Sequence, residues 1–216
     1  MGAVIGDLLP MAVGVAISPI PIIAAILMLL GKHARTTSLG FAAGWIIGVV
    51  AATAIFTTVG SAASGSSTAV GWVKLVLGVL LLAEGVREWR ARSGPASTPK
   101  WMKAIDEMKA PAGAGIGFVL AAVNPKNLML CIAAGMQIGA ASLSTGDDIV
   151  AIVVFSLIAS STVVVPVLAY QVAADRLRGP LDSLKAWLEA NNKTVMAVLI
   201  LVIGVVLIGK GIGGVA

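Results

Sequence analysis

Six apolar runs, at residues 8–30, 39–60, 69–86, 112–141, 149–172 and 194–214, take up most of this 216-residue chain, and the breaks between them are polar or glycine-rich. Each run is long enough to cross the roughly 30 Å hydrocarbon core of a bilayer at about 1.5 Å per residue of helix. In lipid every backbone amide must be satisfied internally, and runs of this length do so as helices. The expected fold is therefore all-α and integral to a membrane, with six transmembrane helices. Composition agrees: 58% of residues are hydrophobic, 12% are charged and mean hydropathy is +1.01, whereas about a quarter charged is ordinary for a soluble domain. The first run reads as a retained helix and not a cleaved signal, because residues 1–9 hold no Lys or Arg, only Asp7.

The net charge of +5 would suggest nucleic acid only if the basic residues shared one soluble surface. They lie instead between the apolar runs. Lys32 and Arg35 occupy the first connection, Arg87, Arg90, Arg92, Lys100, Lys103 and Lys109 the third, and Arg176, Arg178, Lys185 and Lys193 the fifth. The second and fourth hold none, and the fourth carries Asp147 and Asp148. Twelve against zero is a strong positive-inside pattern, which places both termini on the extracytoplasmic side. No nucleic-acid partner is expected. The third connection, with Pro95, Pro99 and Pro111 around Trp101 and Met102, reads as a flexible linker with a short surface helix. Residues 181–190 place Leu184, Trp187 and Leu188 at helical spacing, which suits an interface anchor or a partner-docking helix.

The two halves echo each other. Ala16-Ile17-Ser18-Pro19 resembles Ala122-Val123-Asn124-Pro125, and the stretch from Gly78 to Gly85 resembles that from Gly204 to Gly211. With three spans in each half, the second half inserts upside down. The expected organisation is a first three-helix repeat at 1–88, a basic cytoplasmic linker at 89–111 and a second, inverted repeat at 112–216. In transporters built this way the substrate site lies near the midplane, where broken helices meet.

Candidate chemistry gathers at that depth. Pro19 and Pro21 in the first span and Pro125 in the fourth remove backbone donors and break or kink their helices. Ser18, Asn124 and Asn127 put polar side chains at the same level. Lys126 is the only charge in the fourth span, and an ammonium at the midplane costs several kcal/mol unless paired or hydrated. It would face a cavity and attract a carboxylate, sulfate or phosphate, or be bridged structurally by Asn127 and Ser18. Glu84 and Lys210 occupy equivalent repeat positions near span ends, where gating or coupling is the alternative to plain snorkelling. Gln137 and the Ser160-Ser161-Thr162 run read as bonds between helices, and Pro166 as a kink. Gly40, Gly44 and Gly48, like Gly135 and Gly139, give small-residue faces for helix contact, within the chain or between copies in a homo-oligomer.

Several function classes lack their residues. The lone cysteine, Cys131, excludes a disulfide or dithiol pair, and the lone histidine, His33, reads as a solvated loop residue, not a metal ligand. No Asp or Glu lies at the midplane, so the usual carboxylate proton relay is missing. Hydrolysis or group transfer would need clustered Asp, Glu and His, so no enzyme is expected and no cofactor or metal is called for.

At Ser18-Pro19-Ile20-Pro21 and Asn124-Pro125-Lys126-Asn127 the chain resembles the lysine-exporter superfamily, which pairs a proline-rich first helix with an Asn-Pro-Lys motif in the fourth. It is most similar to the actinobacterial glycolipid-addressing branch, the GAP or Sap family, through the run continuing to Ile26-Leu27-Met28-Leu29. The resemblance implies a bacterial plasma (inner) membrane location and export of a small amphipathic metabolite or a cell-envelope glycolipid. Ser18, Pro19, Pro21, Asn124, Pro125, Lys126 and Asn127 would line the site. Amino-acid exporters of the superfamily show Pro-Gly-Pro where this chain has Pro19-Ile20-Pro21, which favours another substrate. The expected partners are membrane lipid and an anionic lipid or small-molecule substrate. The alternatives are an amino-acid exporter and a scaffold that docks lipid-synthesis or export proteins on the cytoplasmic loops.

Overall fold

The computed structural model describes residues 1–63, 67–92, 105 and 108–215. Its helices are α1 (Gly2–Ala16), α2 (Pro19–Leu30), α3 (Ala34–Ala62), α4 (Ser67–Ala91), α5 (Ala110–Ala122), α6 (Pro125–Ala140) and α7 (Thr145–Val215), with no strand among the described residues. Trp101, Met102 and the linker helix expected around them lie outside the described residues.

The all-α expectation holds, and so does its physical reason. α3, the Thr68–Ala91 part of α4, and α7 are each long and apolar enough to cross a membrane, and the bent pairs α1/α2 and α5/α6 qualify as units. Only 33–44% of the apolar windows in the three single helices is buried inside the bundle. The rest of their surface is also apolar: Ile47, Val50 and Ile55 on α3, Val76 and Leu80 on α4, and Leu157 and Val205 on α7 all face outward. A soluble protein does not present so continuous an apolar perimeter to water. This chain is a multi-pass membrane protein, with Phe41, Trp45 and Phe155 among the largest side chains in its centre.

α7 has 71 residues and would extend about 107 Å if straight, far beyond any bilayer. It folds back. Thr162 bonds the backbone of α1 at Ala16, and Gln171 reaches the carbonyl of Arg35. Lys193 is still at that end, donating to the carbonyl of Ala91 at 2.9 Å, whereas Lys210 sits at the opposite end against Asp7. The two arms are separated by Ala173, whose backbone (φ −135°, ψ 44°) is non-helical. The break therefore falls at Ala173 and not at Pro166, which keeps helical torsions: losing one amide bends a helix without forcing it out of the α region. The end holding Arg35, Ala91, Gln171 and Lys193 also holds Met108, whose carbonyl accepts from Thr37 Oγ1 at 2.8 Å. It gathers the end of the first connection and both ends of the third and fifth, the three basic ones.

Both expected breaks are present and built alike. The α1/α2 pair is bent by 52° and the α5/α6 pair by 62°. At each, one residue in extended backbone, Ser18 (ψ 112°) or Asn124 (ψ 120°), is followed by proline at the first helical position, Pro19 or Pro125. A proline forces its predecessor out of the α region and needs no amide in the first turn, so it ends one helix and starts the next. Pro21 falls in that same first turn, so it adds no second kink.

The glycine faces are used within the chain. A Cβ on Gly44 would collide with the carbonyl of Ala114, and one on Gly117 with the carbonyl of Phe41, so α3 and α5 touch backbone to backbone. Gly135 and Gly139 of α6 meet the carbonyls of Thr53 and Thr57 in the same way. α4 packs on the second arm of α7, where a Cβ on Gly78 would lie 2.9 Å from the Gly204 carbonyl and one on Gly204 3.0 Å from the Gly78 carbonyl. In that seam Gly85 lies against Leu201, and Gly211 against Leu75.

Candidate functional site

The backbone groups freed at the two breaks are met by side chains. Thr162 Oγ1 donates to the carbonyl of Ala16, the last residue of α1. Asn127 Nδ2 donates at 2.9 Å to the carbonyl of Leu120, in the last turn of α5. Asn124 caps α6 by accepting the Lys126 amide at 3.2 Å. Ser18, the corresponding cap of α2, makes no such bond. Thr162→Val should therefore lower stability by about 1–3 kcal/mol, because the buried Ala16 carbonyl loses its donor while shape is kept; thermal unfolding in detergent measures this.

Lys126 follows Pro125 in the first turn of α6 and points inward, with 5% of its surface exposed. Its ammonium lies 3.8 Å from Met196 Sδ on the second arm of α7, and a thioether is a weak acceptor. Among the described residues no carboxylate pairs with it. Other buried polar atoms are also unspent: Asn127 Oδ1 and Ser18 Oγ have no hydrogen-bond partner, nor do Ser156 Oγ and Ser160 Oγ on the first arm of α7. Two contacts set the relative height of the breaks. Gly14 of α1 lies against Leu130 of α6, and Asp7 bonds Gln137. These pairs fix one antiparallel register, and continuing it puts Ser18 level with Lys126. Ser18, Pro19, Pro21, Lys126 and Asn127 are all buried, Asn124 is half-buried, and Pro125 faces outward. Pro125 shapes the break without lining its inner side.

An unpaired buried ammonium, an unpartnered Ser18 hydroxyl, and two helix N-termini at one depth favour an anion. Helix N-termini carry partial positive charge and orphan amides, and the hydroxyl can donate to one of the anion's remaining oxygens.

A second polar group closes the opposite end of the bundle from the basic connections. Lys210 Nζ lies 2.7 Å from Asp7 Oδ1 and 3.1 Å from the Asp7 carbonyl. Gln137 Nε2 donates to Asp7 Oδ2 at 3.3 Å, and Lys74 Nζ donates to Gln137 Oε1. The network ties α1, α4, α6 and α7 together. Lys210 thus has a specific partner and is not merely snorkelling. Glu84 does not join it: Glu84 pairs with Arg87 at 2.7 Å on its own helix. Since Gly85 faces Leu201, Glu84 and Lys210 are about nine residues, or roughly 13 Å, apart in height. Sequence reasoning missed Asp7 as a site residue; the available signal was its position as the one acid before the first basic connection.

A family model described as "Sap, sulfolipid-1-addressing protein" matches residues 8–213. No curated protein and no solved structure matches the chain.

Proposed function

This chain belongs to the Sap, sulfolipid-1-addressing protein family, and from that premise we propose that it exports an anionic amphiphile, a cell-envelope glycolipid or smaller metabolite, across a bacterial plasma membrane. The observation that carries the reading is Lys126: an ammonium buried at the level of both helix breaks, with no counter-charge among the described residues. A sulfolipid, the substance in the family's description, bears an anionic head of the kind Lys126 would neutralise. Met196 and packed side chains cover the Lys126 ammonium.

The transport frame we assign is two inverted three-helix repeats, 1–88 and 112–216, of the lysine-exporter type, with the termini outside. The α4/α7 seam supports it. With the two glycine-framed stretches aligned, Gly78 corresponds to Gly204, Gly85 to Gly211 and Leu75 to Leu201. Gly78 then meets its own counterpart, and the Gly85–Leu201 contact maps onto Gly211–Leu75. Reciprocal contacts of this kind are what a two-fold axis in the membrane plane produces.

The test is a deletion strain complemented with wild type or Lys126→Ala, with surface lipids and secreted metabolites compared. The mutant should accumulate to normal levels in the membrane and lose at least about 90% of surface delivery, as expected for removal of a charge that binds its ligand in low dielectric. Full rescue by Lys126→Ala would move the function to a scaffold role on the basic connections. A change confined to secreted amino acids would assign the smaller substrates instead.

A further inference from the structure

We propose that Lys74 and Lys210 form a second anion station at the extracytoplasmic mouth, which takes the sulfate or phosphate of an amphiphile's head after Lys126 releases it. In the closed state Asp7 holds this station as a built-in stand-in for the ligand. The inference rests on the export reading for its direction, but the station itself stands on separate residues.

Charge comes first. The network contains two ammonium groups and one carboxylate, and every donor in it points to Asp7 directly or through Gln137. Asp7 Oδ1 takes Lys210 and Oδ2 takes Gln137, as two oxygens of a sulfate or phosphate would. One carboxylate against two ammonium groups leaves the network itself with one excess positive charge. Lys74 in particular donates to a neutral amide, with no carboxylate within ion-pair distance among the described residues. The Asp7 side chain is 44% exposed and that of Lys210 26% exposed, so an incoming anion can reach them.

Alignment with the first site comes second. On α6, Lys126 and Gln137 are 11 residues apart, about three turns and 16 Å along one face. On α7, Met196, which touches Lys126, and Lys210 are 14 residues apart, close to four turns and roughly 21 Å. Both stations therefore lie along the faces that α6 and the second arm of α7 turn toward α1 and each other. Between them Leu130 and Ile203 meet over Gly14 of α1, an apolar constriction made of mobile side-chain ends. Asp7 sits on α1 too, two turns from Gly14, so freeing Asp7 would free the helix that completes the constriction. The network also joins the two proposed halves three times, through Asp7–Lys210, Asp7–Gln137 and Lys74–Gln137. An anion that displaces Asp7 exchanges these cross-links for bonds to itself.

The experiment uses the purified full chain in phosphatidylcholine nanodiscs and reads amine labelling of Lys74 and Lys210, residue by residue, by mass spectrometry. Hexadecyl sulfate should protect both lysines in a saturable way. Asp7→Asn should lower the half-protecting concentration by about tenfold or more, since it removes the competing charge. Lys126→Met should leave that protection unchanged, which separates this station from the midplane site: loss of export in that variant with intact protection would leave the inference standing. Labelling of Lys185 reports whether each variant keeps its fold at the other end. The proposal is overturned if hexadecyl sulfate protects neither lysine in wild type and Asp7→Asn, or if Asp7→Asn with unchanged Lys185 labelling weakens protection. Equal protection by inorganic sulfate would overturn the assignment to an amphiphile's head and leave a free-anion site.

Discussion

Lys126→Met is expected to unfold later than wild type and to export nothing. Methionine matches the length of the lysine stem and fits beside Met196, so packing is kept while the buried ammonium disappears. A lone charge at this depth opposes folding by several kcal/mol, and replacing buried charges with apolar groups of similar volume is often stabilising by about 1–4 kcal/mol. Thermal unfolding in detergent should therefore move upward while surface delivery of the amphiphile falls to the level of the deletion strain. The opposing signs are the informative part. A purely structural Lys126, bridged within the protein, would give lower stability with the substitution, because Asn127 or Ser18 would lose a partner. Lys126→Arg adds a graded control: the charge stays, the larger guanidinium must find room at a site that is 5% exposed, and partial export is expected with reduced stability.

The other large effect should come from a pair of glycines on one helix. Gly117→Leu is expected to leave almost no folded protein, whereas Gly115→Leu should be nearly silent. A Cβ at 117 would run into the Phe41 carbonyl and sit 2.8 Å from the Trp45 amide, both rigid backbone on α3. Overpacking a seam that cannot yield costs about 3 kcal/mol or more, comparable to a small protein's whole margin. At 115 nothing lies within 4 Å of the added carbon, so its side chain meets lipid. Membrane-fraction yield and monodispersity on gel filtration measure both. Equal yields for the two variants would mean that α3 and α5 are not packed backbone to backbone.

These pairs show how unevenly the molecule could be read from its sequence. The all-helical, apolar character and both breaks were legible because their causes are local: apolar runs of membrane length, and prolines that dictate the torsions of the residues before them. The burial of Lys126 was legible by the same logic, since it lies far from either end of an apolar run. The Ala173 break was not, because Gln171-Val172-Ala173-Ala174 contains neither glycine nor proline, and the fold-back is set by what the two arms pack against. The glycine steps marked close contact but could not say with which helix; their partners are carbonyls far along the chain. The outer network was hidden for the same reason. Asp7, Lys74, Gln137 and Lys210 are bonded to one another across 63 to 203 residues of chain, and only the helix register brings them together. Pro125 was grouped with its neighbours because the motif is contiguous, yet one helical position is enough to turn its ring outward while Lys126 and Asn127 are buried.

The meeting of Gly78 with Gly204 bears on how such a chain could arise. If the two halves descend from one short polypeptide that entered the membrane in both orientations, those glycines were once the same codon on two copies, touching across the dimer axis. Any larger residue there would then have met itself, doubling the clash from a single nucleotide change, so the position would have been held to glycine with unusual force. Fusion into one reading frame ends that coupling. Each partner can now vary while the other stays small, and the pair that was once the most constrained point of a symmetric assembly becomes a place where the halves can begin to differ.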